Sequence, residues 1–229
     1  MNLPKFITFT GADEHTNVHG MLALAARYPI EWGVLFSPKR QGTGRYPPLE
    51  TAWKFQASSP ALRLSAHLCG QYATDTIDAG GLPLYRQAFD LSRFIKQCQR
   101  VQINTTRSDL NVGEVSQWGA SMGVRVIYQS RDEHCFPADD RCDWLFDNSG
   151  GRGVSPGEWP RPEIGSPAIH GYAGGLNQDN VARNVESIEW EAGANYWIDM
   201  ESGVRDADDR FDLAKCEAIC RAVYGEGAL

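Results

Sequence analysis

The chain lacks any apolar stretch long enough to span a bilayer, which argues against a membrane-inserted protein. It has no basic run, and 29 acidic residues outnumber 22 basic ones, so nucleic acid and anionic membrane surfaces are not expected partners. Its first residues, Met1-Asn2-Leu3-Pro4-Lys5, lead into a short apolar run broken by Thr8, Thr10 and Asp13, without the continuous apolar core of a secretory signal. The six cysteines, at positions 69, 98, 135, 142, 216 and 220, include no CxxC pair. That spacing favours reduced thiols in a cytoplasmic protein over a zinc or redox site. Cys216 and Cys220, four apart on a predicted helix, read as packing residues. There is no internal repeat, no low-complexity segment, and no glycine fingerprint of a dinucleotide fold after the first strand.

What is present is an alternation of short β-rich runs and longer helical patterns. Strands are expected at 5–10, 32–36, 63–68, 101–104, 124–128, 143–146, 168–172 and 196–199. Helices are expected at 15–28, 87–98, 111–122, 179–192 and 211–224, the second carrying apolar residues at 88, 91, 94, 95 and 98. Residues 37–48 form a loop dense in glycine, proline and cations, and Pro156, Pro160, Pro162 and Pro167 reduce the sixth crossover to a loop or one turn. Eight strands in 229 residues, with no visible domain boundary, point to one α/β domain spanning 1–229: a (β/α)8 TIM barrel.

The last third concentrates glycine at three strand ends. Asp147-Asn148-Ser149-Gly150-Gly151-Arg152-Gly153 follows the sixth strand, Ala173-Gly174-Gly175-Leu176-Asn177 the seventh, and Asp199-Met200-Glu201-Ser202-Gly203-Val204 the eighth. Small residues at strand ends let backbone N–H groups approach an anion closely. A phosphate site is therefore expected at Gly151, Gly174, Gly175, Ser202 and Gly203, and a phosphorylated small molecule as ligand. Asn177 or Asp179 could cap the next helix. Asp147 stands where a carboxyl group can exchange protons with a ligand. His67 and Cys69, two apart in a strand, share a face, and a neutral imidazole there could serve as a base. His170 reads as structural. His15 and His19 have metal-ligand spacing on the first predicted helix but no third partner, so a solvated face is the better reading. Trp32, Trp53, Trp118 and Trp197 are expected to fill core space.

These segments resemble the phosphoribosylanthranilate isomerase family. The resemblance is carried by Asp147 with Gly150, Gly151, Gly153 and Trp159; by Ala173 through Val181; and by Asp199 to Val204 with Phe211-Asp212 beyond. Ser37-Pro38-Lys39-Arg40 matches an early Ser-Pro-basic element. The resemblance implies a cofactor-free Amadori rearrangement of an aminoaldose phosphate to an aminoketose phosphate. In that reading Asp147 protonates the ring oxygen, the glycine turns hold the phosphate, and Lys39 or Arg40 meets the aromatic carboxylate. The chain departs from the family at the first strand: Thr10 stands in the slot of the family's cysteine base, and an alcohol is too weak an acid to replace a thiol. Two alternatives follow. One is a diverged enzyme acting on a related ribosyl phosphate; the other is a non-catalytic binder or sensor of a phosphorylated metabolite. Oligomeric state is not legible.

Overall fold

The computed structural model describes residues 2–58, 60–83, 85–148 and 156–227, with the side chains of 86, 87 and 89 left out. The elements run β1 (Ile7–Thr10), α1 (Val18–Ala25), β2 (Ile30–Phe36), α2 (Leu49–Ala57), β3 (Leu64–Cys69), α3 (Gln71–Asp78), α4 (Arg86–Ile95), β4 (Arg100–Asn104), α5 (Val112–Met122), β5 (Arg125–Ser130), β6 (Asp143–Phe146), β7 (His170–Tyr172), α6 (Val181–Ala192), β8 (Tyr196–Met200) and α7 (Leu213–Tyr224). All strands are parallel and hydrogen-bond in sequence order into a closed barrel, with β1 pairing β8 from Ile7↔Ile198 to Phe9↔Met200. Closure removes both sheet edges, and the helices cover the outside.

Each expected strand is present, with ends shifted by up to two residues. Two helices went unread. The α2 segment, Leu49–Ala57, follows the proline-rich loop and starts directly after Pro48, with Glu50 in its first turn. The α3 segment, Gln71–Asp78, carries two threonines and two aspartates, which hides its buried face of Tyr72, Ala73, Thr76 and Ile77. The first helix is shorter than its pattern. Asn17 caps it by accepting from the His19 N–H, so His15 lies before the helix and the His15/His19 spacing is not helical. Among described residues 156–169, no helix forms, in keeping with the prolines there.

Alternation along the strands sends every second side chain into the barrel. Phe6, Ile127, Leu145, Ala173 and Trp197 form an apolar cluster of their own there. Trp197 stacks on Phe6 with ring centroids 6.0 Å apart. It fits because β7 has glycine at 171, where a Cβ would lie 2.3 Å from the Trp197 ring. Below the mouth sits a charged network. Arg100 bonds Glu31 and the Thr8 hydroxyl, and lies 3.7 Å from Asp143. Its guanidinium also packs 4.0 Å from the Trp197 ring centroid. Arg63 and Arg125 close the network from outside, on Glu31 and Asp143 respectively. Burial alone would raise the Glu31 carboxyl, but Arg100 and then Arg63 outweigh it and hold the group below the usual range.

The outward faces pack a second, larger core between strands and helices, including Trp32, with Trp53 and Trp118 against it. Cys216 and Cys220 are buried in this layer. His170 also points outward, its ring 4.5 Å from that of Phe136. No helix among the described residues is long and apolar enough to cross a membrane.

Candidate functional site

The mouth at the strands' C-terminal ends holds a cavity of about 270 Å³. Its lining contains Thr10 from β1, His67 from β3, Gln102 and Asn104 from β4, Gln129 from β5, Asp147 after β6, the 173–177 turn after β7, and Asp199 through Gly203 from β8 onward. One strand-end geometry thus gathers Asp147, Thr10, His67, Gly174, Gly175, Ser202 and Gly203 around a common space. Gly151 lies outside the described residues. Lys39 and Arg40 do not line the cavity: both are exposed on the loop after β2, where the Arg40 guanidinium packs 4.5 Å from the Tyr46 ring centroid.

The turns after β7 and β8 are built for close approach. Gly174 and Gly175 have φ of 105° and 66°, a backbone that residues with side chains rarely adopt. The Gly175 carbonyl accepts from the side-chain amides of Asn177 and Asn180, which pins the turn. Neither Asn177 nor Asp179 caps α6, contrary to expectation. Asn180 occupies that position, and its Oδ1 folds back onto the Asn177 N–H at 2.9 Å. Gly203 presses against this turn: a Cβ there would sit 2.0 Å from the Leu176 carbonyl oxygen. The two turns can meet only through a glycine. Among the described residues, no acceptor takes the N–H of Gly174 or Gly175.

Thr10 donates its hydroxyl to Asp199 Oδ1 at 3.1 Å. Both side chains are buried, and burial first, then Glu201 against the opposing Thr10 bond, raises the Asp199 carboxyl well above the ordinary range. Asp147 is half-buried, its N–H held by the Ser130 carbonyl at 3.0 Å. His67 is 1% exposed, and burial lowers its imidazole to about 3, so it stays neutral across the physiological range. Among the described residues, neither of its ring nitrogens finds a partner, and the same holds for Gln102 Oε1. Cys69 sits in a separate small cluster with Leu35 and Tyr46, accepts from Asn104 Nδ2 at 3.2 Å, and is pushed up to about 11 by burial.

Sequence reasoning missed three parts of this arrangement. Asp199 was read only as the start of a glycine turn, although its place one residue inside a strand end carries the same signal as Asp147. Gly33 interrupts the second strand for a reason: a Cβ there would lie 2.4 Å from Thr10 Oγ1 and 2.9 Å from His67 Nε2. Arg45, in the cation-rich loop, reaches the eighth turn where Lys39 and Arg40 do not. It donates to Glu201 at 2.9 Å, to Ser202 Oγ at 3.0 Å and to Asp209 at 2.8 Å. Beside it, buried Arg205 ties the first and eighth strand ends together through the Gly11 carbonyl and Asp13, each at 2.8 Å. No cluster of three or more His, Cys, Asp or Glu able to hold a metal occurs among the described residues.

No family model matches the chain, and no curated protein matches its sequence. Solved structures do. TrpF from Jonesia denitrificans superimposes with a TM-score of 0.63 at 16% identity, covering 96% of this chain and 97% of that one. Phosphoribosyl anthranilate isomerase from Thermus thermophilus gives 0.60 at 18% identity, with 94% and 96% covered. A phosphoribosyl anthranilate isomerase in complex with reduced 1-(o-carboxyphenylamino)-1-deoxyribulose 5-phosphate gives 0.60 at 14% identity, with 96% and 98% covered. At such identities the shared property is the fold, over nearly the full length of each chain.

Proposed function

We propose that the protein binds a phosphorylated small molecule in the barrel mouth and moves a proton between its adjacent carbons, as an aldose–ketose isomerase does. The observation that supports this most directly is the convergence of two carboxyl groups, Asp147 and Asp199, with the paired glycine turns on one cavity. The phosphate would meet backbone N–H groups around Gly174, Gly175, Ser202 and Gly203, at the position where barrels of this kind hold phosphate. The phosphorylated ligand in one of the similar structures supports a phosphorylated small molecule as the ligand class.

The acid–base assignment departs from the one the family resemblance implies. Asp199, its carboxyl raised by burial, is the acid of the pair in this reading. It gives its proton to the C1 carbonyl oxygen of the open-chain sugar while the Asp147 carboxylate takes the C2 proton, leaving an enediol. Asp147 then returns its proton to C1, and the C2 hydroxyl gives its proton to Asp199, so a ketose forms and both groups end as they began. Thr10 orients Asp199 through its hydroxyl and takes no proton itself. His67, lowered to about 3, is too weak a base for this work and offers one N–H donor and one acceptor nitrogen instead.

Aldose phosphates of four to six carbons, incubated with the protein in D₂O and followed by proton NMR, test the reading. Exchange of the C2 proton and appearance of the ketose are expected for one of them. Asp147→Asn and Asp199→Asn should each lower the rate by about 10²–10⁴. Binding of a sugar phosphate without C2 exchange would instead identify a non-catalytic binder.

A further inference from the structure

The half of the cavity away from the glycine turns has a chemistry of its own. Along the β3–β5 wall it presents an imidazole and three primary amides: His67, Gln102, Asn104 and Gln129. All four are uncharged, and each amide both donates and accepts. Their internal bonding leaves capacity unused. Gln102 Nε2 donates to Asn104 Oδ1 at 2.7 Å, and Asn104 Nδ2 donates to Cys69. Gln102 Oε1 and both His67 nitrogens, on side chains that are 3% and 1% exposed, remain without a partner among the described residues. Buried polar atoms left this way are costly unless a ligand or water completes them.

The charges point the same way. Three carboxyl groups, Asp147, Asp199 and Glu201, line the cavity, and among the described residues no lysine or arginine does. Arg45, at the rim, is already paired with Glu201 and Asp209. A second acidic group on the ligand would face the Asp147 and Glu201 carboxyls with no lysine or arginine on the lining among the described residues to meet it. Among the described residues the apolar lining amounts to Leu145, Ala173, Leu176 and Met200, which is little for an aryl ring to stack on. At about 270 Å³ the cavity lies just below the range of about 300–1,000 Å³ typical of drug-sized ligands, a fit for a short chain.

We propose that His67, Gln102, Asn104 and Gln129 form a hydroxyl-recognition subsite, and that the ligand is a monophosphate of a short polyhydroxylated carbon chain carrying no aromatic and no second acidic group. Sugar hydroxyls donate to one His67 nitrogen and to Gln102 Oε1, accept from the N–H of the other His67 nitrogen, and exchange bonds with the Asn104 and Gln129 amides. The inference rests on the phosphate reading above and narrows it.

Calorimetric titration with three probes separates the two. Inorganic phosphate reports the glycine turns alone. Ribitol 5-phosphate adds the hydroxylated chain and cannot turn over. Reduced 1-(o-carboxyphenylamino)-1-deoxyribulose 5-phosphate adds an aryl carboxylate to such a chain. Ribitol 5-phosphate is expected to bind at least 10-fold tighter than inorganic phosphate, and the aryl compound more weakly than ribitol 5-phosphate. Gln129→Leu, at a half-buried position, should remove most of the ribitol advantage while sparing inorganic phosphate. An aryl compound that binds as tightly as ribitol 5-phosphate, or tighter, overturns the inference. So does inorganic phosphate binding with no gain from the chain, a result that leaves the phosphate reading standing. Failure of all three probes to bind removes both.

Discussion

Replacing His67 with leucine tests the interior of the barrel more directly than any surface change. The imidazole is 1% exposed and is lowered from its ordinary value near 6.5 to about 3, chiefly by burial, with Arg100 adding to the effect and Glu31 opposing it. Because the folded-state value is depressed, the stability this group contributes is complete above pH 6.5 and drains away as pH falls towards 3. Between pH 7 and pH 5 the unfolded chain gains a proton on this side chain that the folded chain refuses. Protonating a free imidazole by that interval is worth about 2 kcal/mol. His67→Leu, of similar size, removes the titrating group together with two nitrogens that find no partner among the described residues. At pH 7 the variant should be at least as stable as the parent. At pH 5 its advantage should widen by about 2 kcal/mol, roughly 1 M in a urea midpoint for a slope of about 2 kcal/mol/M. Urea unfolding at the two pH values, read by circular dichroism, measures the gap. An unchanged gap would show that the imidazole is protonated or solvated in the folded barrel, and would refute the burial argument.

Other perturbations probe the same frame. Gly171→Ala would place a Cβ 2.3 Å from the Trp197 ring, and overpacking of this kind costs about 1–3 kcal/mol or more, read by thermal melts; Gly157→Ala, with nothing within 4 Å among the described residues, should be near neutral by the same measurement. Glu31→Gln leaves the Arg100 guanidinium buried beside a neutral amide and should cost about 3–5 kcal/mol in urea unfolding, whereas an effect below 1 kcal/mol would mean that Asp143 alone satisfies Arg100. Gly203→Ala cannot keep the eighth turn against the Leu176 carbonyl, so inorganic phosphate should bind at least 10-fold more weakly by calorimetry while the far-ultraviolet dichroism is retained.

The barrel was legible because each β-rich run is short, bounded by turn residues and followed by a different period. Such local patterns decide secondary structure without reference to the rest of the chain. The glycine turns were legible for a related reason: positive φ at Gly174 and Gly175 is a demand of the local backbone. Even the absence of a helix among described residues 156–169 followed locally, from the prolines there. Where local pattern was weak, reading failed, as in the threonine- and aspartate-rich α3.

What only the tertiary structure decided is which distant residues share the mouth. Asp199 and Thr10 are 189 positions apart and meet because β8 closes onto β1. Arg45 reaches Ser202, and Lys39 and Arg40 do not, because the loop after β2 folds back over the barrel rim, a matter of three-dimensional path and not of residue type. The neutrality of His67 and the raised carboxyl of Asp199 are likewise invisible along the chain. They arise from desolvation inside a closed barrel, which exists only once all eight strands have joined.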